Sequence, residues 1–291
     1  MPLSGFARSR VTVTGTEIAV AVAGSGPPLL LLHGFPQTMA MWHLVAPMLA
    51  EHFTVVCADL RGYGDSGRPE GGDDHAGYSK RAMAQDQVEV MTSLGFDRFA
   101  VAGHDRGGRV ARRLALDHPD RIRALAVLDI VPTATVFATT DQTLATAYYH
   151  WFFLIQPDGL PERMIGADPR WWLNETLRRW SAPGFVFDPG ALAAYEDAFD
   201  DPTTIHAQCE DYRAAASIDL LHDAHDAGTR IGCPLMVLWG SRGAMQRIYD
   251  VLGTWIGEST DVHGRAIDCG HFLAEEAPDT TGRELLGLLP S

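Results

Sequence analysis

The stretch Val101-Ala102-Gly103-His104-Asp105-Arg106-Gly107-Gly108-Arg109 constrains the fold of this chain more than any other. It follows a short apolar run, Phe99 to Ala102, and opens into Val110 to Leu116, which reads as a helix. A strand that enters a helix through a turn of the form G-x-nucleophile-x-G has the shape of a nucleophile elbow. Small residues let strand and helix approach, while the central side chain stands exposed in a strained conformation. The central residue here is Asp105. A carboxylate at that point attacks carbon and forms an ester with the enzyme. The plainer reading makes Asp105 a helix N-cap in a Gly-rich turn, a common use of Asp. Partners elsewhere along the chain decide between the two.

Val11 to Val13 and Ile18 to Val22, joined through Thr-Gly-Thr, read as an antiparallel hairpin. Leu29 to Leu32 form a continuous apolar run of the kind a strand buried on both faces requires, and it ends in His33-Gly34-Phe35-Pro36. A second buried strand, Thr54 to Ala58, runs into the Gly-rich loop Asp59 to Gly67, and Ser79 is placed to cap a helix reaching about Leu94. After the elbow helix, Ala124 to Leu128 reads as another buried strand, stopping at Asp129. From about Pro132 to Gly228 the alternation lapses, and aromatic residues such as Tyr148, Tyr149, Trp151 and Trp180 crowd into helical-looking segments. Alternation resumes with Pro234 to Trp239 and Val262 to Ile267, then Cys269-Gly270-His271-Phe272 and a last helix from about Pro278 to Leu288. The pattern predicts an α/β chain with a mostly parallel, doubly wound sheet. Residues 1–131 and 231–291 form the two parts of the core, and 132–230 form an inserted helical cap.

Composition bounds the function classes. A chain of 291 residues with 46% apolar content is long enough to bury a large core. Its 23 Lys and Arg against 37 Asp and Glu give a formal charge of −14, which argues against nucleic acid or an anionic membrane surface as partner. The amino terminus lacks the basic-then-apolar shape of a signal peptide and no apolar run reaches bilayer length, so a cytoplasmic location is expected. Cys57, Cys209, Cys233 and Cys269 are far apart, with no C-x-x-C pair, and read as reduced structural thiols with no metal site.

Taken with the elbow, this order of elements resembles the α/β-hydrolase fold, with a helical cap inserted after the sixth strand. The resemblance covers essentially the whole chain and rests on His33 to Pro36, Asp59 to Gly67, the elbow, and Gly270-His271-Phe272. It implies that His271, in the loop after the last strand, is the general base. The backbone amides of Phe35 and Arg106 are the expected oxyanion hole, and His33 reads as structural. Many members of the fold carry the acid that orients the base shortly after the seventh strand, but Trp239 to Ala244 offer no carboxylate. Asp129, at the carboxyl end of the preceding strand, emerges on the same edge and is the expected replacement. Asp268 is the nearest competitor, too close to His271 in sequence to reach its ring freely.

Arg106 and Arg109 point to the substrate class. Arg109 lies four places after Asp105, which brings it back to the same helix face, and two guanidinium groups at a helix N-terminus form a fork for a carboxylate. They also favour the ionised form of Asp105. The alternative is that both pair with carboxylates of the cap or loops. With Asp129, His150-Trp151 and Tyr212, these residues resemble the haloacetate dehalogenases, including those acting on fluoroacetate. That resemblance implies Asp105 as nucleophile, Asp129 and His271 as its triad partners, and Arg106 with Arg109 on the substrate carboxylate. It also implies His150, Trp151 and Tyr212 as hydrogen-bond donors to the departing halide. No cofactor or metal is implied; the expected partner is a small anionic haloacid, and a homodimer is common among such relatives. Two other readings stay open: an epoxide hydrolase using Tyr148, Tyr149 or Tyr212, and a non-catalytic carboxylate-binding protein on the same scaffold. A haloalkane dehalogenase fits less well, since those enzymes usually place Trp where this chain has Arg106.

Overall fold

The computed structural model describes residues 2–288; Met1 and the last three residues of the expected second core portion lie outside the described residues. Strands β1 (Ala7–Val13) and β2 (Thr16–Ala23) form the expected antiparallel hairpin. Strand β3 (Pro28–Leu32), helix α1 (Val45–Ala50) and strand β4 (Thr54–Ala58) follow, then α2 (Lys80–Ser93), whose first turn is capped by the Ser79 hydroxyl accepting from the Ala82 amide at 3.2 Å. Next come β5 (Phe99–His104), α3 (Arg106–Asp117) and β6 (Ile122–Leu128), with β7 (Leu235–Gly240) and β8 (Val262–Ile267) after a long helical stretch. The sheet order is β1-β2-β4-β3-β5-β6-β7-β8. Only the two pairings made by β2 are antiparallel; from β4 to β8 every pairing is parallel. The sheet therefore presents the carboxyl ends of β3, β5, β6, β7 and β8 along one edge, where ligand sites of open α/β sheets gather.

Burial explains the composition of the central strands. Leu29 to Leu32 are wholly buried, as are all six residues of β5, because helices cover both faces of a parallel sheet. Between β6 and β7 lie α4 (Thr133–Ala138), α5 (Gln142–Ala147), α6 (Tyr149–Phe153), α7 (Leu160–Ile165), α8 (Pro169–Trp180), α9 (Pro189–Phe199), α10 (Pro202–Ala215) and α11 (Ile218–His225). After β7 come α12 (Ala244–Ile248) and α13 (Gly253–Ile256), and after β8 come α14 (Leu273–Glu276) and α15 (Pro278–Leu286). No described helix is long and apolar enough to cross a membrane. All four cysteines are free thiols.

The elbow is tighter than its pattern predicts. The strand runs on to His104 and the helix begins at Arg106 rather than Val110, so Asp105 alone separates them. Two glycines in the first turn disfavour a helix locally and hide its start, but the packing demands them. A Cβ on Gly107 would stand 2.3 Å from the carbonyl oxygen of His33 and 2.6 Å from that of Leu32. Gly107→Ala should therefore push α3 off β3 and lower stability by about 1–3 kcal/mol, read as a fall in calorimetric Tm; an unchanged Tm would mean that this contact is not tight.

Candidate active site

Asp105 occupies the N-cap position of α3, yet its side chain makes no capping hydrogen bond, which removes the plainer reading. Its backbone sits at φ 46° and ψ −114°, a strained conformation that turns the carboxylate out of the helix. The Oδ1 atom accepts a hydrogen bond from the amide of Phe35 at 3.1 Å. That approach needs Gly34, since a Cβ there would lie 2.4 Å from the Cβ of Asp105. The Arg106 amide, the other expected oxyanion donor, opens α3, where N–H groups have no intrahelical acceptor. His33 is held by its own ring: Nδ1 donates to the Gly34 carbonyl and Nε2 accepts from the Leu60 amide, each at 3.0 Å. Burial above all drives its pKa down to about 4, and the ring stays neutral.

His271 comes down beside the elbow on the loop after β8. Its Nδ1 donates to Oδ2 of Asp129 at 2.6 Å, and Oδ1 of Asp129 accepts from the Gly240 amide at 2.9 Å. The other ring nitrogen, Nε2, is buried with no partner within the protein. Asp268, the competitor for this role, instead forms two hydrogen bonds with Arg242 at the surface. Three residues to which the sequence reading gave no role fix the loop. The Trp180 carbonyl accepts from the His271 amide at 3.0 Å, His104 Nε2–H donates to the His271 carbonyl at 2.8 Å, and Glu276 accepts from the amides of Gly270 and Phe272.

The electrostatics of this pair are coupled. Burial lowers the His271 pKa, but the hydrogen bond to Asp129 and the charges of Asp129 and Asp105 outweigh it, and the net direction is up. For Asp105 burial pushes upward, and His271, Arg109 and Arg106 outweigh it, holding the carboxyl below its ordinary range.

The two arginines are buried, as expected, but they are not equivalent. Arg106 is already engaged: Nε and Nη2 grip the Asp211 carboxylate at 2.9 and 2.6 Å, and Nη2 also donates to the Asp211 carbonyl. The alternative of pairing with a cap carboxylate is thus realised for Arg106, and among the described residues it is not realised for Arg109. Asp211 also takes Lys80 and the Tyr63 hydroxyl, so this ion is shared among three donors from the core. Its one legible signal is that it precedes Tyr212. Arg106 keeps a single free nitrogen, Nη1. Arg109 has no carboxylate partner among the described residues; Nη1 donates to the Val131 carbonyl and the Thr133 hydroxyl, both at 2.9 Å, and Nε is unpartnered. Burial first, and Arg106 beside it, bring its pKa down to about 10, still charged at neutral pH.

The structure brings the three expected halide donors together. His150 lies 5.7 Å and Trp151 6.0 Å from Tyr212, ring centroid to centroid. The guanidinium of Arg106 sits 4.2 Å above the Tyr212 ring and that of Arg109 4.6 Å above Trp151. His150 Nδ1, Trp151 Nε1 and the Tyr212 hydroxyl are all buried without a partner within the protein. Left dry, such groups cost free energy, so three of them on neighbouring rings suit a polar ligand. Burial pulls the His150 pKa to about 3 and raises that of Tyr212 well above its usual value, so both rings are neutral. A cavity of about 380 Å³ leads to Asp105, Asp129 and His271 past Tyr148, His150 and Trp180.

This fold and elbow, with a histidine–aspartate pair beside it, define an α/β hydrolase. The family described as the alpha/beta hydrolase fold matches residues 27–278. A fluoroacetate dehalogenase of Burkholderia sp is 49% identical over 282 residues, covering 97% of this chain and 93% of that protein. A soluble epoxide hydrolase of a Corynebacterium species is 33% identical, covering 91% of each. Among solved structures, a mutant of a putative epoxide hydrolase from Pseudomonas aeruginosa with bound MFA has 49% identity and a TM-score of 0.93, covering 99% of this chain and 96% of that one. The chain belongs to the haloacetate dehalogenase family of the α/β-hydrolase superfamily.

Because the Asp129 hydrogen bond opposes the burial of His271, Asp129→Asn should lower the imidazole pKa, which stands above its ordinary value in the wild type. NMR titration of the ring nitrogens reads this directly; an unmoved pKa would assign the shift to another group.

Proposed function

We propose that this enzyme hydrolyses the carbon–halogen bond of haloacetates, fluoroacetate and chloroacetate among them, to glycolate and halide through an ester on Asp105. The observation that carries the reading is Arg109: a buried guanidinium with no ion-pair partner among the described residues, beside an aspartate at the elbow. A buried unpaired cation is costly, and a substrate carboxylate pairs it. The free Nη1 of Arg106 supplies a further donor.

In the first step an Asp105 oxygen attacks the carbon next to the substrate carboxylate, and halide departs with the bonding electron pair. His150, Trp151 and Tyr212 each donate one hydrogen bond to it, which matters most for fluoride, a small and basic leaving group. In the second step water adds to the Asp105 carbonyl carbon while His271 takes its proton and passes it to the departing glycolate oxygen. Forming the ester removes the charge of Asp105, one of the causes that hold the His271 pKa up. The imidazole is thereby released to act as a base at the step that needs one. The charge developing on the ester oxygen falls to the amides of Phe35 and Arg106.

The epoxide hydrolase reading draws on buried Tyr148 and Tyr212, which flank His150 at 5.2 and 5.7 Å. A neutral epoxide leaves Arg109 unpaired, which favours the haloacid. Ion chromatography of fluoride and chloride released from the two haloacetates, beside diol formation from an epoxide, separates the readings: halide without diol is expected, and diol alone would reverse the assignment. Asp105→Ala should abolish release, and a single turnover in heavy-oxygen water should label the Asp105 carboxylate; label confined to the product would refute the ester. Trp151→Phe should slow fluoride release more than chloride release, and equal losses would make Trp151 a packing residue.

A further inference from the structure

A haloacetate has only a handful of heavy atoms, yet the cavity before Asp105 holds about 380 Å³, within the roughly 300–1,000 Å³ of pockets that take drug-sized ligands. Its floor is buried and carries Asp105, Asp129 and His271. Its rim is exposed and carries Arg179, Arg242 and Arg247, with no carboxylate among the rim residues. Arg179 and Arg242 are each paired from outside the cavity, with Glu175 at 2.7 Å and Asp268 at 2.6 Å. Arg247 forms no ion pair among the described residues; its Nη1 donates to the backbone carbonyl of Arg242 at 3.2 Å. A chain of net charge −14 thus gathers three cations at the mouth of its own active site.

Displacement at carbon sets where a larger substrate must go. Asp105 attacks opposite the halide, the halide faces the donors on α6 and α10, and the substrate carboxylate meets Arg109 and Arg106. A substituent on the same carbon is left with the cavity leading to the rim. We infer that the rim is a second anion subsite and that the substrate class extends to 2-halo diacids, one carboxylate held by Arg109 and Arg106 and the other by Arg247. This rests on the haloacid reading of the site. The chemistry balances as for a haloacetate: Asp105 forms a carbon–oxygen bond as the carbon–halogen bond breaks, and halide leaves with the electron pair. One water then yields the 2-hydroxy diacid, restores the Asp105 carboxylate and releases one proton.

The test measures chloride release from chloroacetate, 2-chloropropionate and 2-chlorosuccinate by the wild-type enzyme and Arg247→Leu. The wild type should turn over 2-chlorosuccinate with a kcat/KM at least equal to that for 2-chloropropionate, which has a substituent but no second charge. Arg247→Leu should lower kcat/KM for 2-chlorosuccinate by about three- to fivefold, the upper worth of an exposed ion pair. The same change should leave chloroacetate within about twofold, as expected for a site that this smaller substrate does not reach. An enzyme active on chloroacetate but inert toward 2-chlorosuccinate would overturn the inference alone, as would parallel losses on both substrates in Arg247→Leu. An enzyme inert toward all three would remove the haloacid reading with it.

Discussion

Asp105 is a carboxylate with 3% of its surface exposed, and the attack on carbon proposed for it requires the ionised form. An isolated buried ion costs several kcal/mol, so the arrangement around it answers that one demand. Phe35 supplies an amide, His271, Arg109 and Arg106 supply positive charge, and the strained turn keeps the oxygen atoms out of the helix where a capping residue would lose them. Stability and reactivity are served by the same contacts, which is why the small residues at the elbow are packing requirements as well as conformational ones.

The helices between β6 and β7 complete the electrostatics as well as covering the site. Helix α10 carries Asp211 and Tyr212 side by side. Asp211 neutralises Arg106 and anchors to Lys80 on α2, while the Tyr212 ring lies under the Arg106 guanidinium and beside His150. One short piece of helix therefore decides which of two neighbouring arginines remains available for an anion. The consequence is a site whose second buried cation, Arg109, has no ion-pair partner among the described residues and feels the charge of Asp105.

The elbow, the His271–Asp129 pair and the Phe35 amide are the kind of apparatus that an ester-forming hydrolase needs whatever it attacks. What distinguishes substrates is the surroundings: the arginines behind Asp105 for an acid, phenols for an epoxide. This chain carries both, and the weighing turns on the cost of leaving Arg109 unpaired.

Much of this was legible in the sequence. The buried parallel strands show as unbroken apolar runs, and the elbow, His33 to Pro36 and Gly270 to Phe272 are local motifs whose order alone indicates the fold. Asp105 and the arginines could be named from the elbow and their chemistry, and His271 and the three donors from the family that these motifs resemble. Their division of labour could not. Asp211 lies 105 positions from Arg106, and the Asp129–His271 bond spans 142. The first has no motif, and the second was reachable only because a carboxylate was missing where the fold usually has one. Local chain chemistry determines which residues stand at strand ends and helix starts, because backbone conformation is a short-range property. Which charge meets which, and which is left for a ligand, is settled by distance and burial, and those exist only once the helices between β6 and β7 have packed onto the sheet.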